Sequence, residues 1–164
     1  KKAGLTHIEW GTDTLADAPL ETYGKGFTWE EIKTTSLWAS DLGIFYAHFM
    51  ILGGYGETER TLDQTFERSR ELGFTLFFPF VGMRIYPNTR LYETALAEGL
   101  VSPSDDLVRP VYYLSGDIDA ERLHERASAS GTKWVFSDQE ESPLLSRMRA
   151  MNKRGPLWEF LRYQ

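Results

Sequence analysis

Two groups of residues in this 164-residue chain have types and spacings that could do chemistry. The first is the glycine cluster Gly53-Gly54-Tyr55-Gly56, set between an apolar run and Thr58, a residue type that caps helices. Glycines in that setting can turn backbone N–H groups toward an anion. The second is Glu9-Trp10-Gly11-Thr12-Asp13, followed by Lys25 between Gly24 and Gly26. A carboxylate can accept from hydroxyl groups, and an ammonium suits a carboxylate or backs Asp13 as counter-ion; equally, Asp13 reads as a turn-forming residue after Gly11 and Lys25 as a solvated loop lysine. Cysteine is absent, so thiolate-ligated zinc, iron-sulfur clusters, disulfides and cysteine nucleophiles cannot be built from these residues alone. His7, His48 and His124 have no ligand-spaced partner; His7 and His48 read as packed or hydrogen-bonded strand residues and His124 as a helix-surface residue.

The glycine cluster does not fit the known phosphate fingerprints. In Gly54-Tyr55-Gly56-Glu57-Thr58-Glu59, Glu59 stands where a dinucleotide motif has its third glycine, and no Gly-Lys-Ser/Thr ending follows. Glu57 and Glu59 would repel a pyrophosphate and suit the positive end of a helix instead. Two readings stay open: a tight turn that lets strand and helix pack closely, or a site where a sugar or adenine approaches bare backbone.

These residues need elements to hold them, and the apolar pattern supplies an alternation. Residues 5–10 and 44–52 read as strands, and 74–81 as a third, with Pro79 marking an edge or a bulge. Between them Thr28 opens a helix that Gly43 stops, and Thr58 opens one that Gly73 stops. Further on, helices are expected over 90–98 and 119–130, short strands over 111–114 and 133–136, and a helix capped by Ser142 that Gly155-Pro156 ends. Repeated strand-loop-helix units predict an α/β fold with a parallel sheet, whose ligands sit at the strands' C-terminal ends. The segments to watch are therefore residues 11–25, 53–58 and 82–89. Arg84 and Tyr86 in the last of these either reach a ligand or structure the turn.

Eighteen basic against 24 acidic residues give a net charge of −6, so no global positive field attracts nucleic acid or anionic lipid. Residues 147–164 run the other way, with Arg147, Arg149, Lys153, Arg154 and Arg162 against Glu159, and read as a solvated helix face. No apolar run approaches the ~20 residues of a membrane span. No signal peptide is recognisable, and the expectation is a cytoplasmic chain without membrane or nucleic-acid partners.

Ile51-Leu52-Gly53-Gly54-Tyr55-Gly56-Glu57-Thr58 resembles the glycine-rich motif on the fifth barrel strand of radical S-adenosylmethionine enzymes. Glu9-Trp10-Gly11-Thr12-Asp13-Thr14, with Tyr23-Gly24-Lys25-Gly26-Phe27-Thr28, is similar to the segment after that family's fourth strand. Phe78-Pro79-Phe80 with Tyr86-Pro87-Asn88-Thr89-Arg90-Leu91-Tyr92 is similar to the sixth strand and its exit. The three occur in the family's order, cover about residues 5–100, and look most like the subclass that carries a cobalamin-binding domain.

The resemblance implies the C-terminal half of a partial parallel (β/α)6 TIM-like barrel over residues 1–100 and a small α/β C-terminal extension over 101–164. It also implies a missing N-terminal half as the partner, because the family's CxxxCxxC loop is not in this chain. S-adenosylmethionine and a 4Fe-4S cluster, with cobalamin as a further candidate, would then belong to the full-length protein. This chain would be inactive alone, holding no metal and no catalytic residue. Its contribution would be the nucleoside side of the cofactor site: Asp13 and Lys25 on the ribose and carboxylate, Ile51, Gly53 and Gly54 around adenine, Val81 and Met83 as an apolar edge or backbone contact, and Glu9 toward ribose or a small-molecule substrate. A half barrel also predicts an exposed sheet edge that dimerises or is covered by the extension. The competing readings are a nucleotide- or sugar-phosphate-binding α/β module without redox chemistry, and a noncatalytic interaction domain.

Overall fold

The structure, a computed structural model, describes residues 1–116, 118–136 and 143–152. Ser142, Lys153, Arg154, Glu159, Arg162 and Gly155-Pro156 lie outside the described residues.

Strand β1 (His7–Asp13), strand β2 (Phe45–Leu52), strand β3 (Leu76–Val81) and the two-residue β6 (Lys133–Trp134) form a four-stranded sheet in that order, every pairing parallel. Helix α2 (Trp29–Asp41) connects β1 to β2, and helix α3 (Glu59–Ser69) connects β2 to β3. Both helices begin at threonines for the reason the sequence suggests. Thr28 accepts from the Glu31 amide while Glu31 reaches back to the Thr28 amide, and Thr58 and Thr61 make the same reciprocal pair. These contacts satisfy donors that a helix start leaves unpaired.

Helix α1 (Asp17–Thr22) falls in a stretch with no apolar periodicity to announce it. It forms because Leu15, Ala16 and Leu20 are buried in the core and Asp17 accepts from the Trp29 amide, tying the two helix starts together. Beyond β3 the chain makes a small antiparallel pair, β4 (Met83–Arg84) with β5 (Tyr112–Tyr113), around helix α4 (Arg90–Ala97). The expected strand over 111–114 thus pairs outside the main sheet. Gly82 permits this: a Cβ there would lie 2.8 Å from the Tyr113 carbonyl oxygen. Helix α5 (Leu123–Ala129) then leads to β6, and helix α6 (Pro143–Ala150) follows.

Partners in a parallel ladder point to the same face, so register sorts the side chains. On one face Trp10, Thr12, Tyr46, His48, Met50 and Phe77 meet the helices, where Met50 and Phe77 pack with Trp29, Ile32 and Leu72 in one apolar layer. Burying a side chain such as Phe77 contributes about 1.5–3 kcal/mol. The opposite face carries Phe45, Ala47, Phe49 and Ile51 of β2 against Leu76, Phe78 and Phe80 of β3. It closes over Ala47, Leu76 and Val135 but opens toward the strands' C-terminal ends, where Phe80 is 48% exposed.

Pro79 sits in β3 without breaking it. The Phe77 carbonyl accepts from Val135 on the β6 side, so Pro79, two residues on, points its missing donor to that same side, past the end of β6. Among the described residues no helix is long and apolar enough to cross a membrane.

Candidate functional site

The three strands end side by side, Asp13 opposite Met50 and Leu52 opposite Val81, so the loops that follow them converge. Asp13 closes β1 in the left-handed region, φ 67°, after a register shift between Gly11 and Asp13. Aspartate tolerates that conformation better than most residues. The bend brings its carboxylate to 2.6 Å from Lys25 Nζ, which also donates to the Gly11 carbonyl oxygen at 3.0 Å. Both side chains keep 24% of their surface, so the pair is a polar corner partly open to solvent.

The glycine loop after β2 is organised by an internal anion. Glu57 is 1% exposed, and its Oε2 accepts from the Gly53 amide at 2.5 Å. Burial pushes the Glu57 carboxyl up to about 7, against hydrogen bonds from the Gly53 and Gly54 amides and the charge of Arg126, which lower it. The amides that could have received a phosphate are therefore already occupied by the chain's own carboxylate. Glu59 serves elsewhere, paired with Arg126 at 2.5 Å.

The loop is also packed from both sides. Gly53, φ 80°, lies against Leu114 and Ile118, while Ser115 donates through its amide to the Gly53 carbonyl oxygen (2.8 Å) and through its hydroxyl to that of Glu57 (2.7 Å). The segment after residue 101 thus fixes the glycine loop. On the other side the Tyr23 hydroxyl lies on Gly54, at the point a Cβ would occupy, with Ile51 Cγ2 3.0 Å from that same point. Burial, and then the charges of Glu57 and Asp13, push the Tyr23 phenol well above its ordinary range.

Asp13 and Lys25 are thus joined directly, and Ile51 and Gly54 meet at Tyr23. Gly53 adjoins them through Glu57. Val81 turns its side chain to the Leu52–Leu62–Phe66 cluster, leaving the open face its backbone. Met83, in β4 opposite Tyr113, lines a groove of about 1150 Å³ with Tyr23, Tyr55 and Leu91 at the same end of the sheet. Glu9 is apart from the corner: it pairs with Ala47, four residues before Asp13, about 13 Å back along the strand at ~3.3 Å per residue.

His48 is fully buried, its Nδ1 2.7 Å from Thr12 Oγ1 and its Nε2 3.4 Å from Ser36 Oγ, and burial pulls its pKa down to about 3. A cavity of about 260 Å³ beside it is lined mainly by Trp10, Phe27, Ile32 and Thr35, on the helix face. Among the described residues no three His, Asp or Glu side chains gather as a metal site.

Sequence reasoning missed Glu57 and Tyr23 as members of the site. The signal for Glu57 was present: two adjacent glycine amides with an acidic residue within one turn. Tyr23 had none, because its contact with Gly54 crosses from one strand-end loop to another.

No family model matches the chain. Over 71 residues it is 34% identical to the anaerobic magnesium-protoporphyrin IX monomethyl ester cyclase of Rubrivivax gelatinosus, a stretch that covers 43% of this chain and 13% of that protein. Its fold is similar to that of the radical S-adenosylmethionine methyltransferase TsrM from Kitasatospora setae, solved with cobalamin and a 4Fe-4S cluster bound. The TM-score is 0.61 at 15% identity over 96% of this chain and 38% of the other. The chain thus spans well under two thirds of either protein.

Proposed function

We propose, from the relation of this chain to the radical S-adenosylmethionine enzymes of the cobalamin-binding subclass, that it supplies the nucleoside side of an S-adenosylmethionine site in a larger iron-sulfur oxidoreductase or methyltransferase. The observation that carries this reading is the Asp13–Lys25 corner beside a glycine loop whose amides are already taken by Glu57. Such a site suits a ligand that brings hydroxyl groups and a flat apolar base. It does not suit one that brings phosphate, which sets aside the nucleotide- and sugar-phosphate alternative.

In this reading Asp13 accepts from ribose hydroxyls, and Lys25 holds Asp13 in place or meets the cofactor's carboxylate. Adenine lies against Ile51, Gly53 and Gly54, with backbone from 81–83 at its edge and Met83 nearby; Glu9, further down the open face, is left for substrate. S-adenosylmethionine with its cluster supplies one-electron radical chemistry. The chain's own donor set does not fit the cluster, since it has no cysteine. It does not fit an axial cobalamin contact through His48 either, whose two ring nitrogens face Thr12 and Ser36. Those groups, and the reaction and substrate they serve, belong to the rest of the protein.

Strands β1–β3 with helices α2 and α3 are the C-terminal half of a (β/α)6 barrel, with the other half as its partner, and β6 of the extension adds a fourth strand beside β3. The outer edge of β1, unpaired among the described strands, is where that half or a second copy joins. In the same reading the protein is cytoplasmic, and residues 101–164 are an extension from which Leu114, Ser115 and Ile118 brace the barrel mouth.

Calorimetric titration of S-adenosylmethionine into the chain tests the reading. Weak binding is expected, because half of the contacts are elsewhere; tight stoichiometric binding contradicts the half-site. A CxxxCxxC motif encoded within about a hundred residues upstream supports it, and a natural start at Lys1 overturns it.

A further inference from the structure

Two buried polar atoms at the glycine loop have no hydrogen-bond partner among the described residues: the Tyr23 hydroxyl and Glu57 Oε1. Buried polar groups are seldom left so, because each forgoes its hydrogen bonds to water without replacement. The two converge on one place. Glu57 reaches the loop through Oε2 on the Gly53 amide, and its own amide donates to the Gly54 carbonyl oxygen at 3.0 Å. Tyr23 reaches it by laying its hydroxyl on Gly54, over the surface that Ile51 shares. An adenine held against Ile51, Gly53 and Gly54 would need that surface, so in this conformation Tyr23 covers part of the slot.

A swing of Tyr23 is a rotation of its side chain, because its backbone is held: the Tyr23 amide donates to the Pro19 carbonyl oxygen at 2.8 Å and the Lys25 amide to that of Leu20 at 2.9 Å. Tyr23 follows the last residue of α1, and Gly24, φ 70°, comes next, with Gly26 two residues further on. Lys25 between the glycines is anchored to Asp13 and Gly11, so a movement of the Tyr23 side chain leaves the polar corner in place. On its open side lies the wide groove with Tyr55, Met83 and Leu91, which has room for a displaced ring.

We propose that Tyr23 is the gate of the nucleoside slot: its ring rests on Gly54 when the slot is empty and swings into the groove when a ligand enters. The departure frees Glu57 Oε1 to accept from a ligand N–H or O–H. The ligand class this selects is a flat base with an exocyclic amine, or a sugar presenting a hydroxyl at that point. The inference rests on the nucleoside reading and adds to it a positioning residue with a stated movement.

Adenosine titrations of the chain and of Tyr23→Ala and Tyr23→Phe, followed by amide NMR, test it. Removal of the ring is expected to tighten adenosine binding at least fivefold, because no side chain has to be displaced, while Tyr23→Phe stays within about twofold of the native chain. The Gly54 amide resonance of the unliganded protein shifts in Tyr23→Ala toward its adenosine-bound position. Equal or weaker adenosine binding by Tyr23→Ala, with Tyr23→Phe binding normally, overturns the gate and leaves the nucleoside reading standing. Adenosine binding to none of the three overturns the nucleoside reading itself and the gate with it. The thermal midpoints of both variants establish that the comparison is made between folded proteins.

Discussion

The carboxylate of Glu57 turns back onto the amide of Gly53, four residues before it, at 2.5 Å in a fully enclosed position. This contact converts what looks in sequence like an anion-binding glycine cluster into one whose anion is built in. It also makes the loop sensitive to proton concentration. In the folded chain the carboxyl titrates at about 7 rather than 4.5, since burial outweighs the two glycine amides and Arg126, while Tyr23 faces it from the other side without charge. Between these two values the native state binds more protons at this group than the unfolded chain, so the stability that Glu57 contributes is fully present below pH 4.5 and is lost as pH rises through about 7. The gap corresponds to about 3 kcal/mol at ~1.4 kcal/mol per pH unit. Urea unfolding of the native chain and of Glu57→Gln at several pH values isolates this contribution, and the native-minus-variant stability difference is expected to fall as pH rises from 4.5 through 7.

His48 predicts the opposite slope in an overlapping window. Its pKa falls from 6.5 to about 3 through burial, so the neutral ring is favoured by folding. The stability it contributes is complete above pH 6.5 and is lost as pH falls toward 3. Substituting His48→Gln should flatten the acid limb of the stability profile, so that the native-minus-variant difference falls as pH drops from 6.5 toward 3. It should also cost about 1–3 kcal/mol at neutral pH, if the hydroxyl of Thr12 loses its buried partner. A native-minus-variant difference that does not change between pH 7 and 4 would contradict the buried neutral ring.

The glycine loop tolerates no side chain at its first position. Gly53→Ala places a methyl group against Leu114 and forces a non-glycine residue to φ 80°. A destabilisation of about 2–4 kcal/mol is expected from the two effects together, read as a lowered denaturation midpoint. Gly11, with open space around it, should accept alanine with less than about 1 kcal/mol of loss.

How much of this was legible in the sequence differs from element to element. The helices after Thr28 and Thr58 and the three principal strands follow from capping residues and apolar runs, because those signals act within one turn or one strand. Asp13 and Lys25 were singled out by the resemblance of their segment to the one after the family's fourth strand, and the structure places them 2.6 Å apart. Helix α1 was invisible, since contacts with Trp29 and the core hold it rather than its own pattern. The β4–β5 pair was equally hidden, depending on the absence of a Cβ at Gly82 where residue 113 crosses. The role of Leu114, Ser115 and Ile118 in fixing Gly53 could not be read at all, because it joins segments sixty residues apart. Tyr23 on Gly54 is the same kind of contact.

The Asp13–Lys25 pair separates binding from stability. Partly exposed ion pairs contribute about 0–1 kcal/mol, and glycine at position 13 relieves the left-handed backbone. Asp13→Gly should therefore keep its thermal midpoint within about 4 °C of the native chain while losing adenosine binding. Loss of folding in this variant would show that the corner is structural.

The most direct test of the central claim is a paired amide NMR titration of the native chain with adenosine and with ADP. The account predicts saturable shifts at Gly11, Asp13, Ile51, Gly53 and Gly54 with adenosine, and no gain in affinity from the added diphosphate. ADP binding tenfold or more tighter than adenosine, with its largest shifts at the Gly53 and Gly54 amides, would contradict it. That result would mean that the glycine loop takes a phosphate in place of Glu57.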